Sequence, residues 1–230
     1  MTSRFFVRAE QLRRANTGLR LDKFIDQDNP ELELLPKSRL DDGAYRMAYQ
    51  RWERHWSQEA AHRILAKGRV VGRLAMGLGD ESVLEVGIRL SHCYGTPVIP
   101  GSAIKGVLRA RIDDAGLRDF LFGSQESPAF VAFQDAWWIP DTRSPLVMDV
   151  MTVHHPDYYA GKGAPTDFDN PNPVQFLSVR GRFLFVGEFL GDDASGHWKA
   201  YVERLLKETL ETDGIGGKRS AGYGRIQLEG

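Results

Sequence analysis

The sequence has one cysteine, Cys93, no long apolar run and no excess of either charge. A single cysteine excludes an internal disulfide framework and a zinc site built on several thiolates, and it is typical of proteins in a reducing compartment. The longest apolar run, at 183–190, is interrupted by Glu188 and is far shorter than the roughly 18 residues that a membrane span requires. The first residues also lack the apolar core of a secretory signal. We therefore expect a cytoplasmic protein without a membrane partner.

The overall charge is an average over unequal parts of the chain. The 30 basic and 31 acidic residues give a formal charge of -1, which by itself argues against a nucleic-acid partner. However, residues 43–75 contain seven basic and two acidic side chains, whereas residues 135–169 contain six aspartates and two basic side chains. A bound polyanion would therefore avoid the second segment. With 230 residues, 42% of them hydrophobic, the chain suffices for one well-packed domain and is not expected to be disordered.

Hydrophobic spacing predicts the order of helices and strands. Apolar residues three or four positions apart predict a helix over 44–67 that ends at Gly68. The other predicted helices cover 102–112, 117–123 and 197–211. Strands predicted from alternating apolar residues cover 70–79, 83–92, 129–139, 147–156, 174–190 and part of 222–230. Prolines and glycines predict a loop over 161–173.

Strands grouped between two helices favour an α+β fold of the ferredoxin-like type, with an antiparallel sheet and helices on one face. Residues 1–43 lack sustained periodicity. We expect two parts: an N-terminal arm and amphipathic helix over 1–69, which packs on the core, and the ferredoxin-like domain over 70–230. No internal repeat or linker is visible in the sequence.

The first motif, IPGSAIKGVLR, combines a turn, a helix start and two bases. Pro100-Gly101 turns the chain, Ser102 is the predicted N-cap, and Lys105 and Arg109 follow one turn apart on one helix face. The free N–H groups of the first helical turn, together with these two basic side chains, indicate a phosphate site. The motif is not a Walker loop, because it lacks the Gly-Lys-Ser/Thr tripeptide. An ordinary capped helix with two solvated bases is the alternative interpretation.

The second motif, GIGGKRSAGYGRI, occupies residues 214–226 and has five glycines among its first eleven residues. Glycines allow the backbone to approach a phosphodiester chain, while Lys218, Arg219 and Arg225 neutralise phosphates and Tyr223 stacks on a base. A dinucleotide-binding fingerprint is excluded, because its third glycine would fall on Arg219 and the loop follows a helix. A flexible hairpin is the alternative interpretation.

Together the two motifs resemble the paired signatures of the RAMP superfamily, the repeat-associated proteins of CRISPR effector complexes. The segments DVMTVHHPDYY and NPNPVQFLSV further resemble the family of sixth subunits of the Cmr complex, a type III-B effector. The resemblance, over about 90–226, implies a modified RNA-recognition-type ferredoxin fold that binds guide RNA and caps the effector filament near the guide's 3′ end. The implied partners are guide RNA, with target RNA as a further candidate, and the other effector subunits; we expect no cofactor and no metal. The implied RNA-binding residues are Ser102, Lys105, Arg109, Gly216, Gly217, Lys218, Arg219, Ser220, Gly222, Tyr223, Gly224 and Arg225.

Catalysis is an alternative, because some relatives of this superfamily are metal-independent ribonucleases that use a histidine as general base. His92, on a predicted strand end just before the first motif, is the candidate, yet no second histidine or carboxylate nearby in the sequence completes an acid/base pair. His154 and His155 are adjacent, so on a strand they lie on opposite faces and do not share a metal. Acidic residues in the region where relatives carry a cleavage loop match no known pattern; they are Asp80, Glu81 and Glu85. We therefore expect a non-catalytic subunit, with an endoribonuclease acting through His92 as the alternative.

Aromatic residues have a second interpretation as binding surfaces. Trp52 and Trp56, four positions apart, either stack on bases or belong to the core or an interface, and the latter is more typical of this spacing. Trp137 and Trp138 are adjacent on a predicted strand, which predicts one buried ring and one ring at a partner surface. A third function also stays open: a protein-only scaffold whose glycine-rich loop packs against a neighbouring subunit.

Overall fold

The computed structural model describes residues 16–23, 43–58, 62–80, 86–141, 143–153, 172–191 and 196–229. The α-helices in these ranges are α1 Thr17–Lys23, α2 Ala44–Ser57, α3 Gly101–Ala110, α4 Ala115–Phe122 and α5 His197–Thr212. The strands are β1 Arg63–Val70, β2 Val98–Ile99, β3 Val131–Phe133, β4 Ala136–Trp138, β5 Leu146–Val153, β6 Asn172–Val179, β7 Arg182–Phe189 and β8 Ile226–Leu228. A 3₁₀ turn, Arg219–Ala221, lies between α5 and β8. Within the described ranges, no helix is long and apolar enough to cross a membrane.

The main sheet is antiparallel and has β7 at its centre. The strand order is β2-β4-β7-β1-β8, and β3 also pairs with β7. β1 pairs with β7 from Arg63 opposite Glu188 to Arg69 opposite Arg182, and with β8 on its other edge. β5 and β6 form a separate antiparallel pair, which we call the β5–β6 ribbon. The predicted α+β fold with an antiparallel ferredoxin-like sheet is confirmed.

Alternation along β7 places apolar side chains on both faces of the main sheet. Phe183 and Phe185 belong to the main core, together with the apolar residues of α3 and α5. Leu184 and Val186 belong to a second cluster, which aromatic residues of α2 cover. The N-terminal helical extension therefore covers the face that α3 and α5 leave open.

The predicted helix over 44–67 is wrong beyond Ser57, where α2 ends. The chain from Arg63 onward belongs to β1, which is hydrogen-bonded to a strand on each side. This pairing outweighs the helical spacing that continues as far as Ile64, because spacing within one segment carries no information about distant partner strands. The boundary between 1–69 and the following domain thus falls within β1, and that division stays a prediction.

Gly68 lies inside β1 rather than after a helix, so its predicted role as a terminator is also wrong. A Cβ at this position would lie 2.6 Å from Ile226 Cγ2 and 2.9 Å from Leu228 Cδ2. Both of these side chains belong to β8. Glycine at this position therefore makes room for the side chains of the edge strand.

The predicted strands at 70–79 and 83–92 do not form over 71–79 and 86–92, the parts of them that the structure describes outside β1. Gly72 has a φ of +76° and Gly77 a φ of +77°, and this left-handed backbone interrupts the extended conformation that a strand requires. Residues 81–85 lie outside the described residues. The isolated bridges of the two segments are Leu74–Val179, Ala75–Gly217 and Leu90–Pro97.

Two other predicted strands are each divided into two. Gln134 and Asp135 separate β3 from β4 within 129–139, and a turn at Gly181, with a φ of +112°, separates β6 from β7 within 174–190. The helices predicted around 102–112, 117–123 and 197–211 are confirmed as α3, α4 and α5, and the short final strand as β8. The strand predicted at 147–156 is confirmed as β5 up to Val153. Residues 154–156 of that strand and residues 161–171 of the predicted loop lie outside the described residues. The loop prediction is wrong for Asn172 and Pro173, which belong to β6.

Candidate nucleic-acid interface

The start of α3 differs from the predicted phosphate site. Pro100 is the N-cap, and Ser102 lies exposed inside the first turn without capping it, so the prediction of Ser102 as the cap is wrong. The N–H of Gly101 donates instead to Asp135 Oδ1 at 2.8 Å. This carboxylate occupies the position of the expected phosphate, and its charge opposes a second anion there. Sequence spacing does not reveal this cap, because Asp135 lies between β3 and β4.

Lys105 and Arg109 line one cleft of about 470 Å³, together with the end of α4 and the loop that follows it. Arg109 Nη2 lies 2.6 Å from Asp119 Oδ1, and Arg109 Nη1 donates to the carbonyl of Gly123 at 2.7 Å. Arg109 therefore fastens α3 to α4, and Asp119 neutralises its charge. Lys105 forms no ion pair with any described residue. Within this cleft, Lys105 is therefore the basic side chain that is available to bind an anionic ligand.

Lys105→Ala and Arg109→Ala are expected to change different properties. Lys105→Ala should leave the free energy of unfolding unchanged within about 0.5 kcal/mol and weaken RNA binding, because its charge is unpaired among the described residues. Arg109→Ala should lower the free energy of unfolding by about 1–3 kcal/mol, because the Gly123 carbonyl and the Asp119 carboxylate lose their donor. Urea denaturation of both variants measures the free energy of unfolding, and RNA titration measures their affinity for RNA. Equal stabilities of the two variants would contradict the structural role of Arg109.

The glycine-rich loop after α5 has a fixed backbone path. The N–H of Ile215 donates to the Gly224 carbonyl at 2.8 Å and closes the loop on itself. The N–H of Gly217 donates to the Ala75 carbonyl at 2.8 Å, and the N–H of Gly224 donates to the Arg73 carbonyl at 2.8 Å. These bonds join the loop to the segment that follows β1. The geometry therefore favours a defined surface over a flexible hairpin.

Most glycines of the loop serve its own packing rather than the approach of a ligand. A Cβ on Gly224 would overlap the carbonyl oxygen of Ile215, and a Cβ on Gly216 would overlap that of Ala75. These two glycines also have φ values of +84° and +87°. Of the five glycines in the loop, only Gly222 has no atom within 4 Å of its Cβ position. Gly222 is therefore the glycine at which an external phosphate has room.

The cationic side chains of the loop lie beside this open position. Arg219, Ser220 and Arg225 are exposed, and Lys218 is half-buried. Lys218 has a φ of 56° and leads into the 3₁₀ turn. Its Nζ lies 5.9 Å from the ring centroid of Phe176, within reach of a weak cation–π contact. The basic side chains of Lys218, Arg219 and Arg225 form no ion pair with a described residue, so their charges remain available to a ligand.

Tyr223 makes its contacts within the protein. Its hydroxyl donates to Asp149 Oδ2 on β5 at 2.9 Å, and its ring centroid lies 6.1 Å from that of Phe176 on β6. Burial, the hydrogen bond to Asp149 and the charge of that carboxylate raise the pKa of Tyr223 above its ordinary value, so the phenol stays protonated at neutral pH. Tyr223 thereby attaches the loop to the β5–β6 ribbon. Its stacking on a base stays a prediction.

The two sequence motifs adjoin at one point of the fold. Arg111 Nη1, just after α3, lies 2.6 Å from Asp213 Oδ2, just before the glycine-rich loop. Lys105 and Arg109, in contrast, line the cleft beside α4. No hydrogen bond or ion pair between described residues joins either of them to the loop. The structure therefore joins residues that flank the two motifs, and it does not bring together their predicted phosphate-binding side chains.

The residues considered for catalysis form no site in the part of the chain that the structure describes. His92 is exposed in a turn before β2 rather than at a strand end, and its carbonyl accepts a hydrogen bond from Asn16 Nδ2 at 3.3 Å. Asp80 Oδ1 pairs with Arg89 at 2.7 Å. No group of three histidines, cysteines or carboxylates in the described ranges could hold a metal ion. Outside the described residues lie Glu81, Glu85, His154 and His155.

The tryptophans of α2 belong to the core, as predicted. Trp56 is buried, and the Trp52 ring stacks on that of Trp137 with centroids 4.9 Å apart. Trp138 is also buried, as expected for one ring of the pair on β4. The other ring, Trp137, is partly exposed, and its contact with a partner protein stays a prediction. Trp52 and Tyr45 of α2 lie against Trp137, so the chain's own helix packs on part of this ring.

The antiparallel sheet, the helix that carries Lys105 and Arg109, and the glycine-rich loop after the last helix define the class of protein. The family model of the RAMP superfamily matches residues 67–227 of the chain. The chain belongs to this superfamily, in agreement with the resemblance of its two motifs.

Among individual proteins, the chain is similar to the CRISPR system Cmr subunit Cmr6 of Pyrococcus furiosus, with 28% identity over 90% of this chain and 81% of that protein. Cmr6 of Saccharolobus solfataricus is 28% identical over 72% of this chain and 56% of that protein. A chain in the cryo-EM structure of the type III-B Cmr-beta complex bound to cognate target RNA shares the fold, with a TM-score of 0.68 and 21% identity over 86% of this chain and 69% of that chain. The resemblance to sixth subunits of the Cmr complex is confirmed.

Proposed function

We propose that this protein is a non-catalytic subunit of a type III-B CRISPR effector complex in the cytoplasm. In this proposal it binds guide RNA near the 3′ end and caps the filament formed by the other subunits. The observation that carries the RNA-binding role is the glycine-rich loop, in which Lys218, Arg219 and Arg225 flank the open position at Gly222 on a backbone fixed by hydrogen bonds. The similarity to Cmr6 proteins supports the place in the complex.

The binding mechanism is electrostatic and does not read base sequence. Arg219 and Arg225 are exposed, and a guanidinium group can hold a phosphate oxygen with two parallel hydrogen bonds. Lys105 adds a further charge at the cleft beside α4. Contacts to phosphates position a strand without specifying its bases, as a protein that must accept many guides requires.

Lys218→Ala combined with Arg219→Ala should weaken the binding of single-stranded RNAs of different sequence to the same degree. Each lost phosphate contact lowers the slope of log affinity against log salt by about 0.7, so the double variant should lose about 1.4 of that slope. Fluorescence anisotropy of the full chain with labelled RNAs, measured over a series of salt concentrations, gives both quantities. Arg204→Ala combined with Lys207→Ala is the matched control, because both side chains are exposed on α5. An unchanged slope in the loop variant would overturn the proposed RNA-binding role.

The same RNA should be recovered intact after incubation with the full chain in the absence of metal. His92 is exposed, and in the described ranges it has no ion-pair or side-chain hydrogen-bond partner to complete a general acid/base pair. Cleavage that is lost in His92→Ala would instead establish the endoribonuclease alternative. A failure of the wild-type chain to crosslink RNA at the glycine-rich loop, alone or within the assembled complex, would favour the protein-only scaffold.

A further inference from the structure

A second basic feature lies next to the glycine-rich loop. Four arginines from three separate segments line one cleft of about 290 Å³, which we call the arginine cleft. Arg69 and Arg73 come from the end of β1 and the residues after it, Arg143 precedes β5, and Arg180 lies in the turn between β6 and β7. Asp141 is the one carboxylate among the lining residues. The lining is therefore strongly cationic.

Few of these charges are neutralised inside the protein. Arg180 Nε donates to the Ser144 carbonyl at 3.0 Å, and Arg73 Nη1 donates to the Gly72 carbonyl at 3.2 Å. A backbone carbonyl orients a guanidinium group but does not cancel its charge. Within the described ranges, Arg73, Arg143 and Arg180 form no ion pair, and Arg69 has only a contact of 3.9 Å with Glu229.

The buried edge of the cleft offers a further donor. Trp138, which also lines the cleft, is 1% exposed, and its Nε1–H has no acceptor among the described residues. A Cβ on Gly181, another lining residue, would lie 2.7 Å from this nitrogen. A buried N–H without an acceptor is costly, so the indole favours a ligand rich in acceptor oxygens. Four guanidinium groups and this N–H together match the oxygens of phosphate groups.

The arginine cleft is continuous with the glycine-rich loop through the backbone. The Arg73 carbonyl accepts the N–H of Gly224, and the Arg225 carbonyl accepts the N–H of Val71, both at 2.8 Å. Arg225, whose side chain is exposed, therefore lies on the backbone beside the segment that carries Arg73. An extended phosphodiester chain on the loop meets a second cationic surface directly beside it.

We propose that the arginine cleft binds the phosphodiester backbone of single-stranded RNA, at nucleotides adjoining those held by the glycine-rich loop. This inference rests on the proposed function, since it takes the RNA bound at the loop as its ligand. The donors recognise phosphates and make no use of base edges, so binding at the cleft is independent of sequence. The cleft lengthens the track of RNA that one subunit covers.

The test replaces the two exposed arginines of the cleft, as Arg69→Glu combined with Arg143→Glu, in the full chain. Neither side chain donates a hydrogen bond to a described residue, so the replacement leaves the internal contacts of Arg73 and Arg180 intact. With fluorescein-labelled oligouridylate as the probe, we expect at least about tenfold weaker binding and a salt slope reduced by about 1.4. Arg204→Glu combined with Lys207→Glu is the control of equal charge change on α5, and its affinity should stay within about twofold of wild type.

The outcomes separate this inference from the proposed function. If wild type binds the probe, Lys218→Ala with Arg219→Ala weakens it and the cleft variant binds like the control, the cleft inference is overturned and the proposed function stands. If wild type binds no RNA, both fall. If circular dichroism shows that the cleft variant is unfolded, the salt slope of the single variant Arg143→Ala tests the inference instead. This variant should stay folded, because Arg143 is exposed outside any strand or helix. A slope reduced by about 0.7 supports the inference, and an unchanged slope overturns it.

Discussion

Gly224→Ala is expected to lower the free energy of unfolding by about 2–5 kcal/mol and to weaken RNA binding at the glycine-rich loop. Alanine is strained at the φ of +84° that Gly224 adopts, and its Cβ would overlap the carbonyl oxygen of Ile215. A shift of the chain cannot relieve the overlap without breaking the bonds of Gly224 to Arg73 and Ile215. Urea denaturation measures the loss of stability, and fluorescence anisotropy measures RNA binding.

Gly222→Ala provides the matched control for this variant. Its φ of +88° is nearly the same, but no atom lies within 4 Å of its Cβ position. The cost is therefore limited to backbone strain, about 1–2 kcal/mol. Equal losses of stability in the two variants would contradict the packing role of Gly224.

Tyr45→Ala is expected to lower the free energy of unfolding by about 3–5 kcal/mol, the usual cost of removing a large buried aromatic side chain. Tyr45 is 1% exposed, and its ring stacks on those of Trp137 and Trp138 at centroid distances of 5.9 and 6.0 Å. Its hydroxyl donates to the Trp138 carbonyl at 2.6 Å. The side chain thereby joins α2 to β4. Urea denaturation, followed by both tryptophan fluorescence and circular dichroism, measures the effect.

Tyr45→Phe separates the hydrogen bond from the packing of the ring. It should cost about 0.5–1.5 kcal/mol, because only the hydroxyl is lost. Coincident transitions of the two probes would indicate that α2 unfolds together with the sheet. A loss below about 1 kcal/mol for Tyr45→Ala would instead contradict the view of α2 as part of the core and favour a separate N-terminal unit over 1–69.

The elements that the sequence predicts well are those whose signal is local. α5 has an uninterrupted apolar stripe, and the tryptophans of α2 repeat at helical spacing, so both positions follow from periodicity. β1 does not follow from it, because its conformation depends on pairing with β7 and β8, which lie far along the chain. The helical spacing of apolar residues continues beyond α2, so the local sequence predicts a longer helix. Pairing with distant strands instead makes the following segment a strand.

The candidate site shows the same division. Glycine content predicts a loop over 214–226, but it does not predict that Gly222 alone leaves open space beside its Cβ position, while the other glycines make room for the protein's own backbone and side chains. The carboxylate of Asp135 at the start of α3 has no signal in the first motif. The arginine cleft is likewise absent from any sequence pattern, because its four arginines come from three segments that only the folded sheet brings together.

The hydrogen bond between Tyr223 and Asp149 couples the glycine-rich loop to the β5–β6 ribbon. Tyr223 belongs to the loop that holds the exposed bases, while Asp149 belongs to the β5–β6 ribbon and also accepts a hydrogen bond from Ser178 Oγ at 2.9 Å. A ligand that stabilises the position of the loop therefore stabilises the ribbon as well, and a protein that binds the ribbon stabilises the loop. Such coupling is reciprocal by thermodynamic necessity: if RNA strengthens the docking of a neighbouring subunit on the ribbon, that subunit strengthens the binding of RNA by the same factor.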